Sequence, residues 1–288
     1  MVKTLKEQAM MNINGNMKKA VLKEGNEKNE NEKKNLLLET CSKCGTNKYK
    51  EIEILNQKML VKIQCPCEEA EQLEALNKLE KVKQEVMMSK CKNISIVDKK
   101  AFSETFEKAQ MNNENTKKML KLGEKYCQNF EKVMKKNTNL YIYGETGVGK
   151  SYLSNCIYNY LSKKYTVLMI NIPLYLISLQ TGYSKNDPRE TEILQILESV
   201  DLLIIDDLAR EQITEWNLEK LMNIIEKRMG IQKPILISSN LSLENLKHKY
   251  SKFDKFNRLQ DRIKGSCADI RYEGKSKRSS ESSSEWLL

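Results

Sequence analysis

The chain has 288 residues, enough for one full α/β domain and a smaller accessory module. Charged residues make up 31% of it and the net charge is +10, spread along the whole length, which is compatible with a nucleic-acid or acidic-protein partner. A single histidine, His248, argues against His-based catalysis and a multi-His metal site. No apolar segment reads as a secretory signal or a bilayer span: the longest, Thr166 to Leu179, is broken by Asn171 and Pro173. The expectation is a soluble, cytoplasmic protein with no membrane partner.

In chain order, residues 1–40 are rich in Lys, Asn and Glu and read as a charged arm, with Leu36-Leu-Leu38 alone able to pack. The texture changes at Cys41. Alternating runs at Tyr49–Leu55 and Met59–Gln64, joined by Asn56-Gln57-Lys58, predict a β-hairpin. Its base carries Cys41-Ser-Lys-Cys44-Gly45 on one side and Cys65-Pro-Cys67 on the other. Gly45 permits the tight turn that aims two sulfurs inward, so four thiolates at the mouth of a hairpin suit tetrahedral Zn²⁺. Free or redox thiols are the competing reading, and Cys-x-Cys departs from the usual Cys-x-x-Cys. Cys91, Cys127, Cys156 and Cys267 are scattered and read as ordinary thiols.

A helix follows, with Ala70, Leu73, Leu76, Leu79, Val82 and Val86 on one face. That stripe is either an internal packing face or a docking face for another protein. The zinc-binding module and helix therefore span 41–92, a linker 93–112 follows, and residues 113–278 form the main domain. Its first helix is expected over Asn113–Lys136. The Ser-rich end, 279–288, reads as a disordered tail.

Strands are predicted at Leu140–Tyr143, Val167–Asn171, Leu202–Asp206 and Ile235–Ser238, alternating with helices. That order implies a parallel sheet covered on both faces. The first strand runs into Gly144-Glu145-Thr146-Gly147-Val148-Gly149-Lys150-Ser151, the G-x-x-x-x-G-K-S pattern of a P-loop, and Tyr152 opens the helix behind it. Strand before and helix after are the context that phosphate binding needs. Glycines let the backbone amides close on a phosphate, Lys150 reaches the β- and γ-phosphates, and Ser151 can ligate Mg²⁺. A nucleoside triphosphate, ATP, is the expected ligand.

Leu202-Leu-Ile-Ile-Asp206-Asp207 ends an apolar strand in two carboxylates, 56 residues after Lys150. This Walker B pattern places Asp206 beside the Mg²⁺ at Ser151 and lets Asp207 orient the attacking water. Asn240, closing the apolar run from Pro234, either contacts the γ-phosphate or lytic water, or shares with Ser239 a capping or turn role ahead of the helix at Ser242–Lys249.

These segments, with Ile-Ser-Ser-Asn-Leu-Ser-Leu-Glu-Asn-Leu and Arg258-Leu-Gln-Asp261-Arg262-Ile, resemble the DnaC/DnaI-type bacterial helicase loaders of the AAA+ superfamily over about residues 95–278. The resemblance implies a fold: an α/β AAA+ P-loop NTPase with a parallel sheet, preceded by a small zinc-ribbon-like module and helix. It implies that Asn240 is a sensor and Arg262 a finger reaching the γ-phosphate of a neighbouring subunit. Arg278, in Ser276-Lys277-Arg278, becomes the sensor-2 candidate, although Lys277 replaces the usual aromatic.

The implied function is ATP-dependent helicase loading in DNA replication initiation. The partners are a replicative DNA helicase, single-stranded DNA and, when ATP is bound, further copies of the chain. ATPase activity is expected to be weak until a second copy completes the pocket. Lys185 and Arg189 are candidate DNA contacts. An IstB-type transposition helper shares the ATPase core but usually lacks a zinc module, and a zinc-containing adaptor switched by ATP is a third reading. No Arg-rich lid supports a small-molecule kinase.

Overall fold

The computed structural model describes residues 37–54, 57–97, 99–110, 113–181 and 188–274. The described chain forms two compact units, the first ending at Val82 and the second beginning at Lys83.

The first unit is built on an antiparallel hairpin, β1 (Tyr49–Ile54) and β2 (Gln57–Lys62), in which Tyr49 faces Lys62 and Ile54 faces Gln57. The second strand therefore begins two residues earlier than the expected Met59. Helix α1 (Pro66–Ile94) follows, and its amphipathic stripe is uncovered. Leu73, Leu76, Leu79, Val82 and Val86 are each about half exposed or more. Met87, Cys91 and Ile94, at its far end, pack instead into the core of the second unit.

The second unit is a five-stranded parallel sheet in the order β4-β5-β6-β3-β7. Its strands are β3 (Asn139–Tyr143), β4 (Val167–Asn171), β5 (Leu202–Leu208), β6 (Ile235–Ser239) and β7 (Cys267–Arg271). The central strands read as near-continuous apolar runs because helices cover both faces. The expected parallel α/β sheet is present. β7 is an addition: its residues are largely exposed and it pairs only with β3, so it carries no apolar run to announce it. Residues 94–97 and 99–110, expected as linker, pack on this unit. Ile96 bridges Ile170 of β4, a 3₁₀ turn spans Lys99–Ser103, and Ala101 and Phe106 are buried.

The helix expected over Asn113–Lys136 is two helices, α2 (Glu114–Gln128) and α3 (Phe130–Lys136), broken at Asn129. Asn113 caps α2 by accepting from the Thr116 amide at 2.7 Å. The break lets Phe130 and Val133 turn into the core beside Tyr126. The remaining helices are α4 (Lys150–Leu161), α5 (Ile172–Thr181), α6 (Pro188–Ser199), α7 (Glu215–Gly230), α8 (Leu243–Tyr250) and α9 (Arg258–Ser266).

One buried side chain ties α6, α7 and the sheet together. Arg228 of α7 is fully buried and donates to the carbonyl oxygens of Leu197, Val200, Asp201 and Pro234 at 2.7 to 3.2 Å. Burial lowers its pKa to about 10, which still leaves it charged at neutral pH. It satisfies the carbonyls that the C-terminus of α6 leaves open.

Candidate nucleotide site and cysteine cluster

β3 delivers the chain into the P-loop at the carboxyl edge of the sheet. A Cβ on Gly144 would lie 2.2 Å from the carbonyl oxygen of Tyr272, so only glycine lets the strand end pass that backbone. Gly147 and Gly149 take positive φ, 86° and 113°. Gly149 is the N-cap of α4 and makes no side-chain cap bond. The first amides of that twelve-residue helix are thus presented, with its positive end, to whatever occupies the loop. An uncapped helix start behind a left-handed glycine turn fits a phosphate group.

Lys150 is buried and its ammonium donates to the carbonyls of Gly144 and Glu145, each at 2.8 Å, and to Oδ1 of Asn240 at 2.7 Å. Asn240 does not cap α8. That role falls to Ser242, which accepts from the Asn245 amide. Glu145, Thr146 and Val148 lie in the same turn as the glycines, and Tyr152 anchors α4 through its hydroxyl to the Thr105 carbonyl at 3.0 Å.

The two acids stand at a break in the ladder. Pairing of β5 with β6 shifts between Ile205 and Leu208, and Asp207 takes φ 58°. Asp206 is buried and accepts from Ser238 Oγ at 2.5 Å, and the Ser151 and Asn171 side chains favour its charged form. Burial first, then the neighbouring charge of Asp207, raises its pKa. A buried carboxylate beside the Ser151 hydroxyl is a hard-oxygen pair that fits Mg²⁺.

Asp207 is held differently. Its amide donates to Ser238 Oγ at 3.1 Å, Arg210 Nη1 lies 2.9 Å from its Oδ2, and Asn171 Nδ2 lies 3.5 Å from the same oxygen. Ser238, Asn171, Arg210 and Tyr272 are site residues that the motif reading missed. Ser238 and Asn171 gave a faint signal, since each is a polar residue closing an apolar strand run.

One expected residue, Arg262, is not in this cluster. Arg262 lies on α9, 61% exposed, with Glu226 4.0 Å away. Arg278 and Lys185 lie outside the described residues, and Arg189 falls on α6. His248 is exposed on α8.

The four predicted cysteines do converge. The sulfurs of Cys41, Cys44, Cys65 and Cys67 all lie within 4.8 Å of one another, with Cys67 3.3 Å from Cys41, 3.0 Å from Cys65 and 3.5 Å from Cys44. Tetrahedral Zn–S bonds of about 2.3 Å put sulfurs about 3.8 Å apart, so small side-chain rotations suffice. Gly45 has φ 72° and its amide donates to the Cys41 carbonyl, which shapes the knuckle turn. The Thr46 hydroxyl and amide lower the Cys44 thiol to about 6, while the thiols around Cys67 push its proton affinity up. Four crowded sulfurs that cannot all ionise without a cation fit structural zinc.

The family model for IstB-like ATP binding proteins matches residues 68–285. The chain belongs to this family. It is an IstB-like ATP-binding protein homologous to helicase loaders. Against the replicative helicase loader DnaI of Bacillus subtilis (strain 168) it is 31% identical over 152 residues, 50% of this chain and 48% of the relative. Against the replicative helicase loader DnaC of Buchnera aphidicola subsp. Baizongia pistaciae (strain Bp) it is 26% identical over 145 residues, 50% of this chain and 58% of the relative. The chain thus spans about half the length of the curated relatives it matches. A crystal structure of DnaI shares the fold, with a TM-score of 0.53 at 24% identity over 62% of this chain and 96% of that one. Among the described residues no helix is long and apolar enough to cross a membrane.

Proposed function

We propose that this chain is an ATP-hydrolysing loader that binds a replicative DNA helicase and single-stranded DNA and delivers the helicase when replication begins. The observation that carries this reading is the meeting of Lys150, Asn240, Asp206 and Asp207 at one sheet edge, in a chain whose relatives are named helicase loaders. In this reading residues 41–92 grip the helicase, 93–112 connect, and 113–278 form the ATPase.

ATP lies with its phosphates on residues 144–151, and Lys150 exchanges the Gly144 and Glu145 carbonyls for phosphate oxygens. Mg²⁺, held by Ser151 and Asp206, supplies charge neutralisation at the phosphates. Asp207 accepts a proton-bearing edge of the attacking water, and Asn240 orients it or the terminal phosphate. Arg262, exposed on α9, serves a second copy: a guanidinium entering in trans offsets charge that develops on the transferred phosphoryl group. Arg278 contacts the phosphates from the end of the domain. Zinc on Cys41, Cys44, Cys65 and Cys67 holds the hairpin that precedes α1, and the uncovered Leu73–Val86 stripe supports a protein-docking role for that helix.

The deciding experiment is capture of the same cell's replicative helicase on the full-length protein, with and without ATP, alongside ATPase assays with single-stranded and duplex DNA. Nucleotide-dependent helicase capture and single-strand stimulation support the loader. Stimulation by duplex DNA with no helicase captured favours a transposition helper, which the family model also embraces.

A further inference from the structure

The turn after β5 folds back on the site. Asp207 and Ala209 both take left-handed backbone, φ 58° and 69°, and the Arg210 amide donates to the Asp207 carbonyl at 3.2 Å. Alanine has no intrinsic reason to sit there, so the surroundings must hold it. They do. Ser239 Oγ donates to the Leu208 carbonyl at 2.8 Å, Lys249 Nζ to the Ala209 carbonyl, and the Tyr250 hydroxyl to the buried carboxylate of Glu211.

This pinned turn aims Arg210 at Asp207. The guanidinium stands 2.9 Å from Oδ2, yet the Arg210 side chain is 54% exposed whereas that of Asp207 is 14% exposed. Arg210 fills no hole in the core. Its contact with Asp207 is one of charge, and it occupies the carboxylate oxygen that Asn171 also approaches.

We propose that Arg210 is a positioning residue that restrains Asp207, withholding Oδ2 from the attacking water in the isolated protein. A carboxylate oxygen already accepting from a guanidinium is a poorer acceptor for water. Assembly or partner binding that offers Arg210 another anion releases Asp207. The inference rests on Asp207 orienting water in the proposed hydrolysis. A half-exposed pair of this kind is weak and screened by salt, so the restraint is worth roughly two- to fivefold in rate.

The test compares basal kcat and KM for ATP in wild type, Arg210→Ala, Arg210→Lys, Asp207→Asn and the double variant Arg210→Ala/Asp207→Asn, from low to high NaCl. The expected result is that Arg210→Ala raises kcat about two- to fivefold at low salt with KM unchanged. That gain shrinks toward unity as salt screens the wild-type pair, Arg210→Lys falls between, and the gain vanishes in the Asp207→Asn background. A lower kcat in Arg210→Ala, a gain that persists at high salt, or a gain that survives without Asp207 overturns the restraint. Should every variant bind ATP and none hydrolyse it, including wild type with DNA and helicase, hydrolysis itself falls and the restraint falls with it. Asp207→Asn turning over as fast as wild type instead removes only Asp207, and hence Arg210, from the reaction.

Discussion

Lys150 and Asn240 stand ninety positions apart in the chain and meet at 2.7 Å, Nζ to Oδ1. The contact joins the start of α4 to the end of β6 and places an amide beside the one P-loop side chain that carries positive charge. Asn240→Ala is expected to leave nucleotide affinity within about threefold and to lower turnover about 10- to 100-fold, near the loss seen for a polar group acting mainly in the transition state. Lys150→Ala should lose nucleotide binding as well. Equilibrium titration with a fluorescent ATP analogue and steady-state phosphate release separate the two.

Arg262 is proposed to serve another copy. Arg262→Ala should keep ATP affinity and the monomer's melting temperature, yet lose most of the rate gain on assembly, on the order of 10³-fold for a finger supplied in trans. Mixing it with a Lys150→Ala chain, which cannot hold nucleotide, should restore none of that gain to the Arg262→Ala sites unless the Lys150→Ala copy lends its arginine. Restored turnover in the mixture is the expected outcome. Equal stimulated rates in wild type and Arg262→Ala would remove the residue from the mechanism.

The cysteine cluster should bind about one zinc per chain. Zinc ligands must shed their protons, so sufficient acidification should release metal. Replacing Cys65, the fully buried member, with Ser should abolish stoichiometric zinc and melt the hairpin in circular dichroism. Nucleotide binding, which belongs to the second unit, should survive. Metal analysis of reduced protein finding well under half an equivalent would remove this site.

Arg228→Met keeps the volume but orphans buried carbonyls of Leu197, Val200, Asp201 and Pro234. At about 1–3 kcal/mol for each unsatisfied group, partly offset by relaxation, the second unit should lose on the order of 3 kcal/mol in urea unfolding. A loss under about 0.5 kcal/mol would mean that water replaces the guanidinium there.

Asp206 carries a pKa raised by burial, so the nucleotide-free fold binds its proton more tightly than the unfolded chain does. For a raised carboxylate the stabilising proton is present at low pH and lost as pH climbs through the folded value. Asp206→Asn, permanently neutral, should therefore be more stable than wild type at neutral pH without nucleotide. That advantage should narrow as the pH is lowered toward the ordinary carboxylate range. Thermal melts of both proteins at pH 8 and pH 5 read the difference, and an advantage that widens on acidification would contradict it.

The sequence by itself determined the nucleotide loop, the paired acids, the four-cysteine cluster and four of the five strands of the parallel sheet. Each is written in a local code: a glycine spacing, an apolar run buried on both faces, a Cys pair around a turn. Only the tertiary structure decided the rest. β7 exists because β3 offers it an edge, Asn129 breaks a helix so that Phe130 can reach the core, and Arg228 serves carbonyls from two other elements. Ser238, Asn171 and Arg210 join the site because strand ends that are distant in sequence align at one edge of the sheet. Such partners are set by pairing across the sheet, and neighbours along the chain carry no trace of it.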